Sequence, residues 1–123
     1  MTVVSIVARI LLGIVFAAVG ALTFFMPPPP MPGMVGQFNA VFAQSHWNLF
    51  IAAAQFVLGV LLLINRYVPV ALIMLAAFLY NSFAFHITIM PAFVIAPIIV
   101  LILWFLVAWP HRAVFAPLFQ AKA

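Results

Sequence analysis

Hydrophobic residues fill this chain in four long blocks, and the polar positions inside and between them are few enough to name. The blocks run from Val3 to Met26, from Trp47 to about Ile64, from Val68 to Met90 and from Ala92 to Trp109. A helix crossing a hydrocarbon core of about 30 Å needs about 20 consecutive apolar residues, so the pattern predicts four transmembrane helices. Asn65-Arg66-Tyr67 followed by Pro69 breaks the second block from the third, and Met90-Pro91 breaks the third from the fourth. Both connections are turn-like and too short for a domain. The expected architecture is therefore all-α: a single membrane domain over residues 1–123, folded as a transmembrane four-helix antiparallel bundle.

The connection between the first two blocks is different. It contains the stretch "MPPPPMPG", and prolines have no backbone N–H to leave unpaired near lipid. A polyproline-like strand rises about 3.1 Å per residue without internal hydrogen bonds, so residues 27–32 read as a stiff connector. Beyond it, Met34, Val35, Phe38, Val41 and Phe42 fall on one helical face opposite Gln37, Ala40 and Gln44. This predicts a short interfacial helix that packs on protein or on lipid, completing a connector over residues 27–46.

Composition fits the same solvent. Of 123 residues 71% are hydrophobic, four are Lys or Arg, and none is Asp, Glu or Cys. About a quarter of a soluble protein's residues are charged, so a bilayer is the expected surrounding. Four isolated cations make no phosphate-binding patch, and nucleic acid is not an expected partner. With the N-terminus in the cytoplasm, Arg66 in the second connection and Arg112 and Lys122 in the tail all fall on the cytoplasmic side and the outer loops carry no cation, as the positive-inside rule requires. The expected location is the inner membrane of a bacterium, with both termini cytoplasmic.

Polar residues inside apolar spans are the natural candidates for function. Gln55 on the second span and Tyr80 and Asn81 on the third are at similar depth and are expected to meet. Ser82 and His86, four residues apart, share a helical face. These five are the ligand or quinone candidates; the alternative is that they join helices by hydrogen bonds. His46 and His86 form a further candidate pair for a metal, a haem or a chlorophyll-type pigment. Arg9 lies about two turns into the first span, and the chain holds no carboxylate to pair with it. It is expected to snorkel to the headgroups or to meet an anionic ligand or the acid of a partner protein. Small residues recur at Gly13, Ala17, Gly20 and Ala21 on the first span and at Ala52 and Gly59 on the second, stripes that let helices approach closely within the bundle or between proteins.

The segments "ARILLGIVFAAVGALTFF" and "AAAQFVLGVLLLINRYVPVALIMLAAFLYNSFAFH" resemble the DoxX family of small four-helix membrane proteins. Arg9 followed by Gly13, Phe16 and Gly20, the Gly59 segment ending in Arg66, and the Asn81 to His86 stretch carry the resemblance. Family members often have a lysine near the position of Thr23 and an acid at that of Gln55, so both departures remove charge. The resemblance implies association with larger redox assemblies, among them relatives of a thiosulfate:quinone oxidoreductase subunit.

Without carboxylates or thiols the chain has no general acid–base pair and no activated nucleophile. The expected function is that of a non-catalytic accessory subunit beside larger integral membrane proteins and lipid, with a homo-oligomer as another arrangement. The alternatives are a quinone-binding redox subunit and a small-solute carrier. In intact cells, Met34→Cys in this cysteine-free chain should react with an impermeant maleimide while tags on either terminus stay shielded; shielded Met34→Cys with reactive termini would invert the topology.

Overall fold

The computed structural model describes residues 2–26 and 28–122. Met1, Ala123 and Pro27, the first proline of the connector, lie outside the described residues. The chain is all-helical, with no strand among the described residues. Its helices are α1 (Val3–Phe25), α2 (Gly33–Gln44), α3 (Trp47–Leu63), α4 (Val68–Thr88), α5 (Ile95–Ala108) and the single turn α6 (Arg112–Phe115). Short 3-10 turns join α4 to α5 and flank α6, which makes Pro91–Phe119 one nearly continuous helical run. That run, α1 and α4 are each long and apolar enough to cross a membrane. Helix α3 has 17 residues and reaches that length only together with α2, from which it is bent by 84°.

Local chemistry sets the helix ends. Thr2 caps α1, its Oγ1 accepting from the Ser5 backbone N–H at 3.2 Å while Ser5 Oγ donates back to the Thr2 carbonyl at 2.9 Å. The helix stops at Phe25 because Met26 precedes a proline, which disfavours helical backbone, and Met26 is extended at φ −127°, ψ 123°. The remainder of the proline segment folds back on α2 so closely that a Cβ on Gly36 would lie 1.8 Å from the Met31 carbonyl oxygen. Only glycine fits there. At the other end, Asn65 and Tyr67 both adopt the left-handed region in the turn from α3 to α4, the conformation that reverses the chain in so few residues.

Packing begins with α1 and α3, which run in opposite directions. Gly59 lies against α1 so tightly that an added Cβ would be 2.3 Å from the Ala17 backbone nitrogen and 2.8 Å from the Gly13 carbonyl oxygen. Two turns along, a Cβ on Gly20 would meet the Ala52 carbonyl and the Phe56 nitrogen at 2.6 Å. The small-residue stripes therefore face each other within one chain. Around this seam Leu12, Leu62, Leu72 and Leu75 are fully buried, in a core that also includes Ala8, Phe16, Leu58, Val68, Ala71, Val107 and Ala108. Helix α5 packs on both α1 and α4, and Trp104 Nε1 ties it to α4 by donating to the Leu72 carbonyl at 2.8 Å. Phe115 stacks on Trp104 at 6.4 Å between ring centroids and so brings the tail back onto the core.

The short helix after the connector is present, and its apolar face divides. Phe38 and Phe42 turn inward onto other aromatic rings, whereas Met34 and Val41 stay exposed. The third and fourth apolar blocks are trimmed at their junction: α4 ends at Thr88 and α5 begins at Ile95, because Pro91 imposes a 3-10 turn between them.

Because the seam has no room for a side chain, Gly59→Leu should destabilise the fold by at least about 1–3 kcal/mol, the usual range for overpacking. Reversible unfolding followed by circular dichroism should show this loss. Ala18→Leu, on an exposed position of α1, should change stability by less than about 0.5 kcal/mol.

Candidate functional site

Arg9 has a partner in the chain after all. One Nη1 donates to the carbonyls of Leu62 and Leu63, at 3.4 Å for the latter, in the last turn of α3. Those oxygens belong to a helix C-terminus, where the final carbonyls lack intrahelical donors and the helix dipole favours a cation. The guanidinium thus forms a cap across the α1–α3 seam, because the antiparallel register brings the first turns of α1 beside the end of α3. The Arg9 Nε is buried without a partner, so part of the guanidinium's capacity is left over.

Four of the other polar groups of the apolar helices turn back on their own backbone. Thr23 Oγ1 donates to the Val19 carbonyl at 2.8 Å, Asn81 Nδ2 to Ala77 at 2.9 Å, and Thr88 Oγ1 to Ala84 at 2.6 Å. His86 Nδ1 lies 2.7 Å from the Ser82 carbonyl. A carbonyl can only accept, so Nδ1 carries the proton in this contact. The Ser82 hydroxyl is 3.4 Å from the same nitrogen.

The expected meeting of Gln55 with Tyr80 and Asn81 is not what the helices deliver. Successive helical residues point about 100° apart, so positions 80, 81 and 82 look in three directions. Tyr80 is 77% exposed. Asn81 lines a groove of about 550 Å³ between α2, the start of α3 and the second half of α4. Ser82 instead shares a small cavity of about 150 Å³ with Gln55, Phe16, Phe78 and Pro97, among α1, α3, α4 and α5. His86 lines neither of these two. His46 occupies the corner between α2 and α3 at φ 64°, beside Thr23 and Asn48 rather than with His86. No group of three or more metal-binding side chains occurs among the described residues.

The larger groove is the feature that the polar residues alone did not reveal. Its walls include a chain of aromatic rings: Phe85 to Phe38 at 5.1 Å, Phe38 to Phe42 at 5.3 Å and Phe42 to Trp47 at 5.0 Å between centroids. The signal in the sequence was the Phe38–Phe42 pair at four-residue spacing, which closes the groove because α2 folds over α4. Asn81 and Thr88 are its polar side chains. The volume lies within the range of about 300–1,000 Å³ usual for small-molecule sites.

Residues 4–88 match the model of the family described as DoxX, more than two thirds of the chain. The chain belongs to the DoxX family. The matched region holds the Arg9 cap, the glycine seam and the groove's lining except Ile89, whereas the Gln55–Ser82 cavity is completed by Ala96, Pro97 and Val100 beyond it. Family membership and the long apolar helices together make this DoxX protein an integral, multi-pass membrane protein. No match was found among the curated proteins, and none among the solved structures.

Removing the Arg9 cap leaves the last carbonyls of α3 without their charged donor, and hydrogen bonds to charged groups contribute about 1.5–3 kcal/mol. Arg9→Leu should therefore lower the stability of the isolated protein by about that amount, and Arg9→Lys, which keeps the charge, by less. A melting temperature unchanged in Arg9→Leu would show that the cap contributes nothing.

Proposed function

We propose that this protein is a non-catalytic accessory subunit of a larger membrane electron-transfer or energy-converting complex. In this reading α1, α3, α4 and α5 form four antiparallel crossings of a bacterial inner membrane, both termini are cytoplasmic, and α2 lies on the outer leaflet. The observation that carries it is the fate of the polar side chains. Thr23, Asn81, Thr88 and His86 are hydrogen-bonded to their own helices, and Arg9 caps a neighbouring one. Groups committed in this way hold helices in shape; they do not converge on a reacting atom. The sequence supplies no carboxylate or thiol to take over that work. The protein then acts through its surfaces, with the partly exposed guanidinium end of Arg9 as a contact for an acid of the neighbouring subunit.

A second reading is favoured by the groove. Its aromatic walls and two polar groups suit a ring-bearing hydrophobe, and a quinone-binding redox subunit would hold its cofactor there.

Solubilisation of the source membrane in a mild detergent, followed by affinity purification and mass spectrometry, separates the two. An accessory subunit should bring integral membrane proteins in fixed stoichiometry. Purification of the protein alone, with quinone retained in the native form and lost in an Ala84→Phe variant that fills the groove, would replace the first reading by the second.

A further inference from the structure

The groove between α2 and α4 has a donor and acceptor inventory that narrows what fits it. No Lys or Arg lines it, and the chain has no acid, so a charged head would be left without a counter-ion in a low-dielectric setting. Within the groove, Thr88 has a single hydroxyl proton, and that proton goes to the Ala84 carbonyl at 2.6 Å. Toward an occupant Thr88 can therefore only accept. Asn81 gives one Nδ2 proton to Ala77, which identifies the other amide atom as the oxygen and leaves one N–H and the acceptor Oδ1. Asn81 and Thr88 lie seven residues apart on one face of α4, about 10 Å along its axis.

An occupant that can only accept, such as a ketone, ester or ether, would use the free N–H of Asn81 and leave Thr88 without a donor. A hydroxyl satisfies both kinds of group, because it donates and accepts. We infer that the groove binds an uncharged, hydroxyl-bearing hydrophobe, a phenol or alcohol with an apolar body, whose O–H is given to Thr88 and whose ring or chain rests on the Phe38, Phe42 and Phe85 array. This rests on the second reading above, that a hydrophobic ligand occupies the groove, and adds the chemistry by which the ligand is chosen: of a quinone and its reduced quinol it selects the quinol, since the quinone itself can only accept.

The test uses the full chain in lipid nanodiscs and a matched pair of probes, 4-nonylphenol and its methyl ether, which differ in the O–H. Binding is followed by tryptophan emission against empty nanodiscs, with Trp47→Phe as the control that identifies the reporter. The phenol should bind at least about tenfold more tightly than the ether, as expected of a site that presents a fixed hydrogen-bond acceptor. Thr88→Val, nearly the same in shape, should bring the phenol to the affinity of the ether and leave the ether unchanged. Equal affinities in the native chain would overturn the hydroxyl selection while the groove still holds a ligand. Failure of both probes to bind would remove the ligand-binding reading with it.

Discussion

The contact between Gly59 on α3 and the Gly13–Ala17 stretch of α1 is the constraint on which the other features depend. In a bilayer, helices gain little by burying apolar surface against one another, since the lipid is equally apolar; van der Waals contact at short range has to hold them. Backbone within van der Waals distance of backbone is the closest approach available, and it requires glycine or alanine on both sides. The seam supplies these at positions 13, 17, 20, 52 and 59, and it fixes the antiparallel register of α1 and α3. That register places Arg9 at the end of α3, where its guanidinium finds the Leu62 and Leu63 carbonyls. It also sets the start of α3 where Trp47 can meet α2, so that the sharp bend at His46 folds the Phe38 and Phe42 side of α2 onto α4.

Two consequences for function come from this one geometry. The single charge in α1 is stabilised within the chain by a helix end, and a carboxylate is not required to keep it in the membrane. Meanwhile two of the spaces that the helices leave divide the polar candidates between them. One is a small cavity among four helices with an amide and a hydroxyl, and the other is a larger aromatic groove under α2. The separation of Ser82 from Asn81 into different spaces follows from one residue of helical rotation.

Much of the fold was legible because the blocks of hydrophobic sequence are long and their breaks are chemically explicit. Proline after Met26, the Asn65-Arg66-Tyr67 turn and Pro91 end or bend helices for reasons visible in the residues themselves. The small-residue stripes were visible too, but a stripe has no address: the partner helix is chosen by register, which no local pattern carries. Arg9 misled for the same reason. A search for an acidic partner in the sequence finds none, whereas the actual partner is a pair of backbone carbonyls, a group that every residue has. The Ser82–His86 pairing was legible from four-residue spacing, whereas the expected convergence of Gln55 with Tyr80 and Asn81 was not met, since direction requires knowing which neighbour each face meets. The groove was hardest to foresee, because its walls come from α2, α3 and α4 and its closure depends on an 84° bend at a histidine.

The most direct test of the seam uses the scarcity of glycine, of which the chain has five. Gly13 is the only glycine followed by isoleucine and Gly59 the only one followed by valine, so ¹³C-glycine with ¹⁵N-isoleucine and ¹⁵N-valine assigns both in a solid-state NMR spectrum of the protein in bilayers. A close Gly13 carbonyl to Gly59 Cα correlation should appear and should persist when labelled chains are diluted with unlabelled ones, because both residues belong to one chain. Absence of that correlation, or its loss on dilution, would contradict the intramolecular seam on which the cap, the cavity and the groove all depend.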